Sequence, residues 1–90
     1  MQAHIFILGF VQGVGFRRFV KSKAKSLNLT GWVKNLPDGR VEAVATGDKN
    51  KIDMLIKFIE KGSFFSEVKS VQISLEEEET FNSFEIIRKD

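Results

Sequence analysis

The sequence predicts an α+β sandwich with two helices on one face of an antiparallel sheet. Three observations carry this. Short apolar runs fit for strands alternate with two stretches of helical periodicity, in the order βαββαβ plus a short C-terminal strand. Each helical stretch has one apolar face, which suits packing against one side of a sheet. Turn-forming Gly, Pro, Asp and Asn residues fall at the junctions.

Residues 3–10 form a nearly continuous apolar run, read as a strand in the middle of the sheet. Gly9, Gly13 and Gly15 then require a turn. From Phe16 the period changes: Phe16, Phe19, Val20, Ala24 and Leu27 recur at three and four, with Arg18, Lys21, Lys23 and Lys25 mostly on the wet side. Asn28 is the expected helix stop. Residues 29–35 read as a strand, Leu36-Pro37-Asp38-Gly39 as a hairpin turn, and residues 40–46 as the return strand. Asp48 is the expected N-cap of a second helix with Ile52, Leu55, Ile56 and Ile59 as its stripe and Gly62 as its stop. Residues 71–75 alternate as a strand, Glu76 to Glu79 read as a solvated loop, and residues 84–88 form a last short strand. This is the ferredoxin-like arrangement, expected as a single domain over residues 1–90. That fold hosts many functions, so function has to come from the site.

Composition narrows the classes. The 90 residues carry a formal charge of +2, with no cysteine and one histidine, His4. Disulfides and thiol chemistry are excluded, and the scattered acidic residues suit metal binding poorly. The slight basic excess tolerates an anionic ligand without demanding nucleic acid. No 18-residue apolar stretch occurs, and the N-terminus lacks a signal-peptide pattern, so a soluble cytoplasmic protein is expected, with no membrane partner. Nothing in the sequence demands more than a monomer.

The segment from Gly9 to Arg17 joins a strand to a helix. Loops there present backbone N–H groups at a helix N-terminus, where the dipole favours anions. Glycines let successive N–H groups converge into a nest, and the guanidinium fork of Arg17 matches two phosphate oxygens at once. Spacing alone also fits a plain tight turn with Arg17 solvated. The GK[ST] ending of a Walker loop and the dinucleotide glycine spacing are both missing.

Two motifs turn this loop toward a family. Gly9-Phe10-Val11-Gln12-Gly13-Val14-Gly15-Phe16-Arg17 matches the pattern G-x-V-Q-G-V-x-F-R. Gly31-Trp32-Val33-Lys34-Asn35, followed by Asp38-Gly39-Arg40-Val41-Glu42, matches G-W-V-x-N then D-G-x-V-E. In both, and across the whole chain, the sequence resembles the acylphosphatases. The resemblance implies a cofactor-free, metal-independent hydrolase of the carboxyl–phosphate bond of acyl phosphates. It implies that Arg17 and the loop amides of Val14, Gly15, Phe16 and Arg17 hold the phosphate, and that Asn35 orients the attacking water. Inorganic phosphate is then both product and competitive inhibitor. Turn chemistry alone also accounts for an Asn before Leu-Pro-Asp-Gly. The chain departs from many relatives in having Gly62-Ser63-Phe64-Phe65 with no proline, and Phe10 where arginine is common.

The chemistry is coherent. Carboxylate is a good leaving group, so positioning and electrostatic stabilisation carry the catalysis. Asn35 can fix a water through its carbonyl oxygen but cannot be a general base near neutral pH. His4 and Trp32 read as structural residues. Two rivals share the topology. An RNA-binding module needs aromatics on its central strands, and residues 40–46 have none. An acylphosphatase-like domain at the N-terminus of a hydrogenase-maturation protein also resembles this motif, and a self-contained 90-residue chain argues for the free enzyme.

Overall fold

The computed structural model describes residues 1–88. The elements are β1 (Gln2–Phe10), α1 (Phe16–Ser26), β2 (Thr30–Asn35), β3 (Val41–Thr46), α2 (Lys49–Lys61), β4 (Glu67–Glu76) and β5 (Phe84–Ile87). They form one sheet in the order β4-β1-β3-β2-β5. β1 pairs antiparallel with β3 and β4, and β2 antiparallel with β3, as the ferredoxin-like order requires. β5 joins β2 in parallel, which makes the whole sheet mixed.

Alternation along the strands decides what is buried. Ala3, Ile5 and Ile7 of β1, Val33 of β2, and Val41, Ala43 and Ala45 of β3 form one core with Phe84 of β5. Onto it pack Phe16, Val20 and Ala24 of α1 and Ile52, Leu55 and Ile59 of α2, so both helices cover the same face. Alanines at three of the sheet positions leave room for the larger helix side chains to interdigitate. The helix ends follow the sequence. Asn28 adopts φ 59° just beyond α1, Asp48 caps the start of α2 by accepting from the Asn50 N–H at 3.3 Å, and Gly62 ends α2 at φ 82°.

Among the described residues, no second layer covers the other face. Leu8 and Phe10, read as part of a fully buried run, are therefore 47% and 60% exposed. His4 lies between two carboxylates there: Nδ1 meets Glu76 at 2.6 Å and Nε2 meets Glu42 at 2.5 Å. Burial opposes the charged ring, but the hydrogen bonds and negative charges of Glu42 and Glu76 outweigh it and raise the His4 pKa above its ordinary value. The ring also stacks on Phe6 and meets the edge of Trp32, so both His4 and Trp32 are packing residues of this face.

β4 is longer than the alternation predicts. It begins at Glu67 because β1 remains available for pairing as far as Phe10, across an irregularity at Leu8 and Gly9. As an edge strand it shows little apolar alternation over its first residues. Glu76, read as the start of a free loop, ends this strand. The run beyond it is exposed yet anchored: the N-terminal ammonium pairs with Glu78, and Gln2 Nε2 donates to Glu76 at 3.0 Å and Glu79 at 2.9 Å.

Candidate active site

The loop after β1 turns through two left-handed glycines, Gly13 (φ 75°) and Gly15 (φ 77°). A Cβ at either would meet nothing within 4 Å, so conformation and not space selects glycine. Gly15 is the N-cap of α1, and its carbonyl accepts the first helical bond from Phe19 N at 3.0 Å. The first N–H groups of a helix have no intrahelical acceptor. Among the described residues, none accepts from the N–H groups of Val14, Gly15, Phe16 or Arg17. Phe16 is buried at the base of the helix and locks its first turn to the core.

A cavity of about 210 Å³ opens over this turn. Its walls include Gly13, Gly15, Phe16 and Arg17 from the loop and helix, and Asn35 from the end of β2. Arg17 and Asn35, distant in sequence, thus share one cavity. Val14 does not line it; its side chain packs against the core instead. Four further wall residues were not read as part of the site: Val11, Arg18, Ile86 and Arg88. Arg88 follows directly on the Lys34–Ile87 pair of the parallel β2–β5 ladder, which carries it toward the end of β2 where Asn35 sits. Among the described residues the cavity lining therefore holds three arginines and no carboxylate.

Asn35 sits where the β2–β3 hairpin begins. The hairpin closes through Leu36 N to Arg40 O at 2.8 Å and Gly39 N to Leu36 O at 3.1 Å, and Asp38 accepts from Arg40 N at 3.1 Å. The Arg40 N–H, together with its guanidinium, holds the Asp38 carboxyl below the ordinary carboxylate range. The Asn35 side chain takes no part in this closure. Its Oδ1 is buried without a hydrogen-bond partner, a state shared among the described residues only with Ser63 Oγ. Gln12 reaches from the loop to the hairpin: its Nε2 donates to Leu36 O and Arg40 O, each at 2.9 Å.

A family model described as acylphosphatase matches residues 3–86. The chain belongs to the acylphosphatase family. An acylphosphatase of Acaryochloris marina is 49% identical over 82 residues, covering 91% of this chain and 88% of the relative. The crystal structure of acylphosphatase from Bacillus subtilis superposes with a TM-score of 0.92 at 40% identity, covering 96% of this chain and 97% of that one. T. kodakarensis HypF aligns at 31% identity with a TM-score of 0.86, covering all of this chain but 12% of that protein. Membership of the family makes this chain an enzyme of the hydrolase class, on the ferredoxin-like fold that its sequence predicts. Among the described residues no helix is long and apolar enough to cross a membrane.

Proposed function

We propose that this acylphosphatase family member hydrolyses the carboxyl–phosphate bond of acyl phosphates in the cavity between the glycine loop and Asn35. The phosphoryl group sits at the N-terminus of α1. There the amides from Val14 to Arg17 and the Arg17 fork take its oxygens, and the helix dipole adds to the attraction. Arg18 and Arg88 add positive potential at the same cavity. A water accepted by Asn35 Oδ1 attacks phosphorus in line. The bond from water oxygen to phosphorus forms as the bond from phosphorus to the carboxylate oxygen breaks. The acyl group leaves as carboxylate, and the proton of water passes to the phosphoryl oxygens. No added acid is needed, because carboxylate departs readily.

The observation that carries this reading is the orphaned Asn35 oxygen. A buried acceptor without a partner is costly and calls for an explanation. Asn35 lines the cavity that also holds Arg17 and the loop, and an attacking water is a partner that would satisfy its oxygen. The proposal extends to the whole chain acting as a free monomeric enzyme, without metal or cofactor, with phosphate as a competitive inhibitor.

The test is turnover of benzoyl phosphate by purified protein in the presence of EDTA. Sustained turnover, inhibited competitively by inorganic phosphate, is expected. Arg17→Ala should lose about 10²–10³-fold, the usual cost of one preorganised donor at a developing charge. Arg17→Lys should not restore it, because an ammonium cannot reproduce the bidentate fork. Absence of turnover, or full activity in Arg17→Ala, would sink the proposal.

A further inference from the structure

The side chain of Gln12 belongs to the loop but serves neither the cavity wall nor the core. A primary amide has two N–H groups, and Gln12 commits them to two carbonyls, Leu36 O and Arg40 O. Those carbonyls stand at the mouth of the β2–β3 hairpin, Leu36 directly following Asn35 and Arg40 leading into β3. Among the described residues these are the only hydrogen bonds from residues 11–15 to the hairpin.

Strand pairing does not make this connection. β1, which ends in the loop, and β2, which ends in Asn35, are separated by β3. The loop is also built on two left-handed glycines, whose backbone has the widest conformational range of any residue. Something must fix its distance from Asn35, since a misplacement of about 1 Å in a reacting arrangement can cost about 10²-fold in rate.

We infer that Gln12 is a positioning residue: its amide clamps the phosphate-holding loop to the hairpin and sets Asn35 at its working distance from the phosphoryl group. This rests on the acyl phosphate reading above. It assigns Gln12 no contact with substrate. Its effect passes through Asn35.

Two variants test it. Gln12→Met keeps the length and removes both donors. Gln12→Asn keeps an amide but is one methylene too short to span both carbonyls. Each should lower kcat about 10- to 100-fold, while the dissociation constant for inorganic phosphate, read by titration calorimetry, stays within about twofold. In an Asn35→Ala background the same substitutions should cost little more, because residues acting as one unit are not additive. A purely structural Gln12 would give equal losses in both backgrounds, or less folded protein with unchanged kcat per folded molecule; either result overturns the inference. If Gln12→Met does not fold, Gln12→Asn decides by the same criteria. The wild type separates the two claims. No turnover of benzoyl phosphate removes the acyl phosphate reading itself, whereas turnover that both variants retain removes only the clamp.

Discussion

Asn35 keeps a buried carbonyl oxygen that no group among the described residues satisfies. Such an acceptor costs stability, about 1–3 kcal/mol when fully desolvated. Asn35→Ala should therefore separate activity from stability. Turnover should fall about 10²-fold or more, in kcat and not in phosphate binding. Stability to urea should stay level or rise by up to about 1 kcal/mol. A turn-forming role for Asn35 predicts the opposite, a less stable protein, so unfolding curves and kinetics on one variant decide between them. At this scale Arg17 and Asn35 are legible only through the two motifs, because spacing alone also fits a plain tight turn and turn chemistry alone also accounts for an asparagine before Leu-Pro-Asp-Gly. Arg88 is not legible, because its place in the cavity depends on a parallel pairing between β5 and β2 that chain order does not specify. Val14 is ambiguous for another reason: its side chain packs against the core while its amide has no acceptor among the described residues, and only the side chain has a hydrophobic pattern to read.

The two motifs mix residues that build the elements with residues that line the cavity. In Gly31-Trp32-Val33-Lys34-Asn35, Val33 is core, Trp32 and Lys34 lie on the open face, and Asn35 lines the cavity. Gly31 is required by the sheet itself, since a Cβ there would stand 1.9 Å from Val44 O of the neighbouring strand. Gly31→Ala should destabilise by about 3 kcal/mol or more, through overpacking against backbone that cannot yield. Gly13→Ala meets no neighbour and should cost only the left-handed penalty, about 1–2 kcal/mol. Thermal melts of the two variants test this order, and equal losses would refute it. The boundaries of β1, both helices and the hairpin were readable because period changes and turn chemistry mark them. The first residues of β4 were not. An edge strand is fixed by its partner's ladder more than by its own pattern, and Glu67–Ser70 offers almost no alternation to read.

Across the molecule, the open face is held by charge where the other face is held by hydrophobic packing. His4 on β1 links Glu42 of β3 to Glu76 of β4, and Lys34 of β2 lies 3.8 Å from Glu42. One protonated ring thus joins three strands, and Lys34 extends the network to a fourth. The His4 pKa is raised in the folded protein, so its contribution is complete below the ordinary value of 6.5 and is lost as pH rises through the higher folded value. Above that, a neutral imidazole donates to only one carboxylate and turns a lone pair toward the other. The Glu76 pKa is lowered, chiefly by its hydrogen bond to His4 and then by that to Gln2, so its contribution holds above 4.5 and fades as pH falls through the lower folded value. Both contributions are complete together between 4.5 and 6.5. His4→Gln should therefore reduce stability most within that window and progressively less as pH rises beyond it. Urea unfolding of wild type and variant at matched pH values between about 5 and 9 measures the difference. A stability gap that stays constant across that range would show that the ring acts by packing alone, without the charge that ties β1 to β3 and β4.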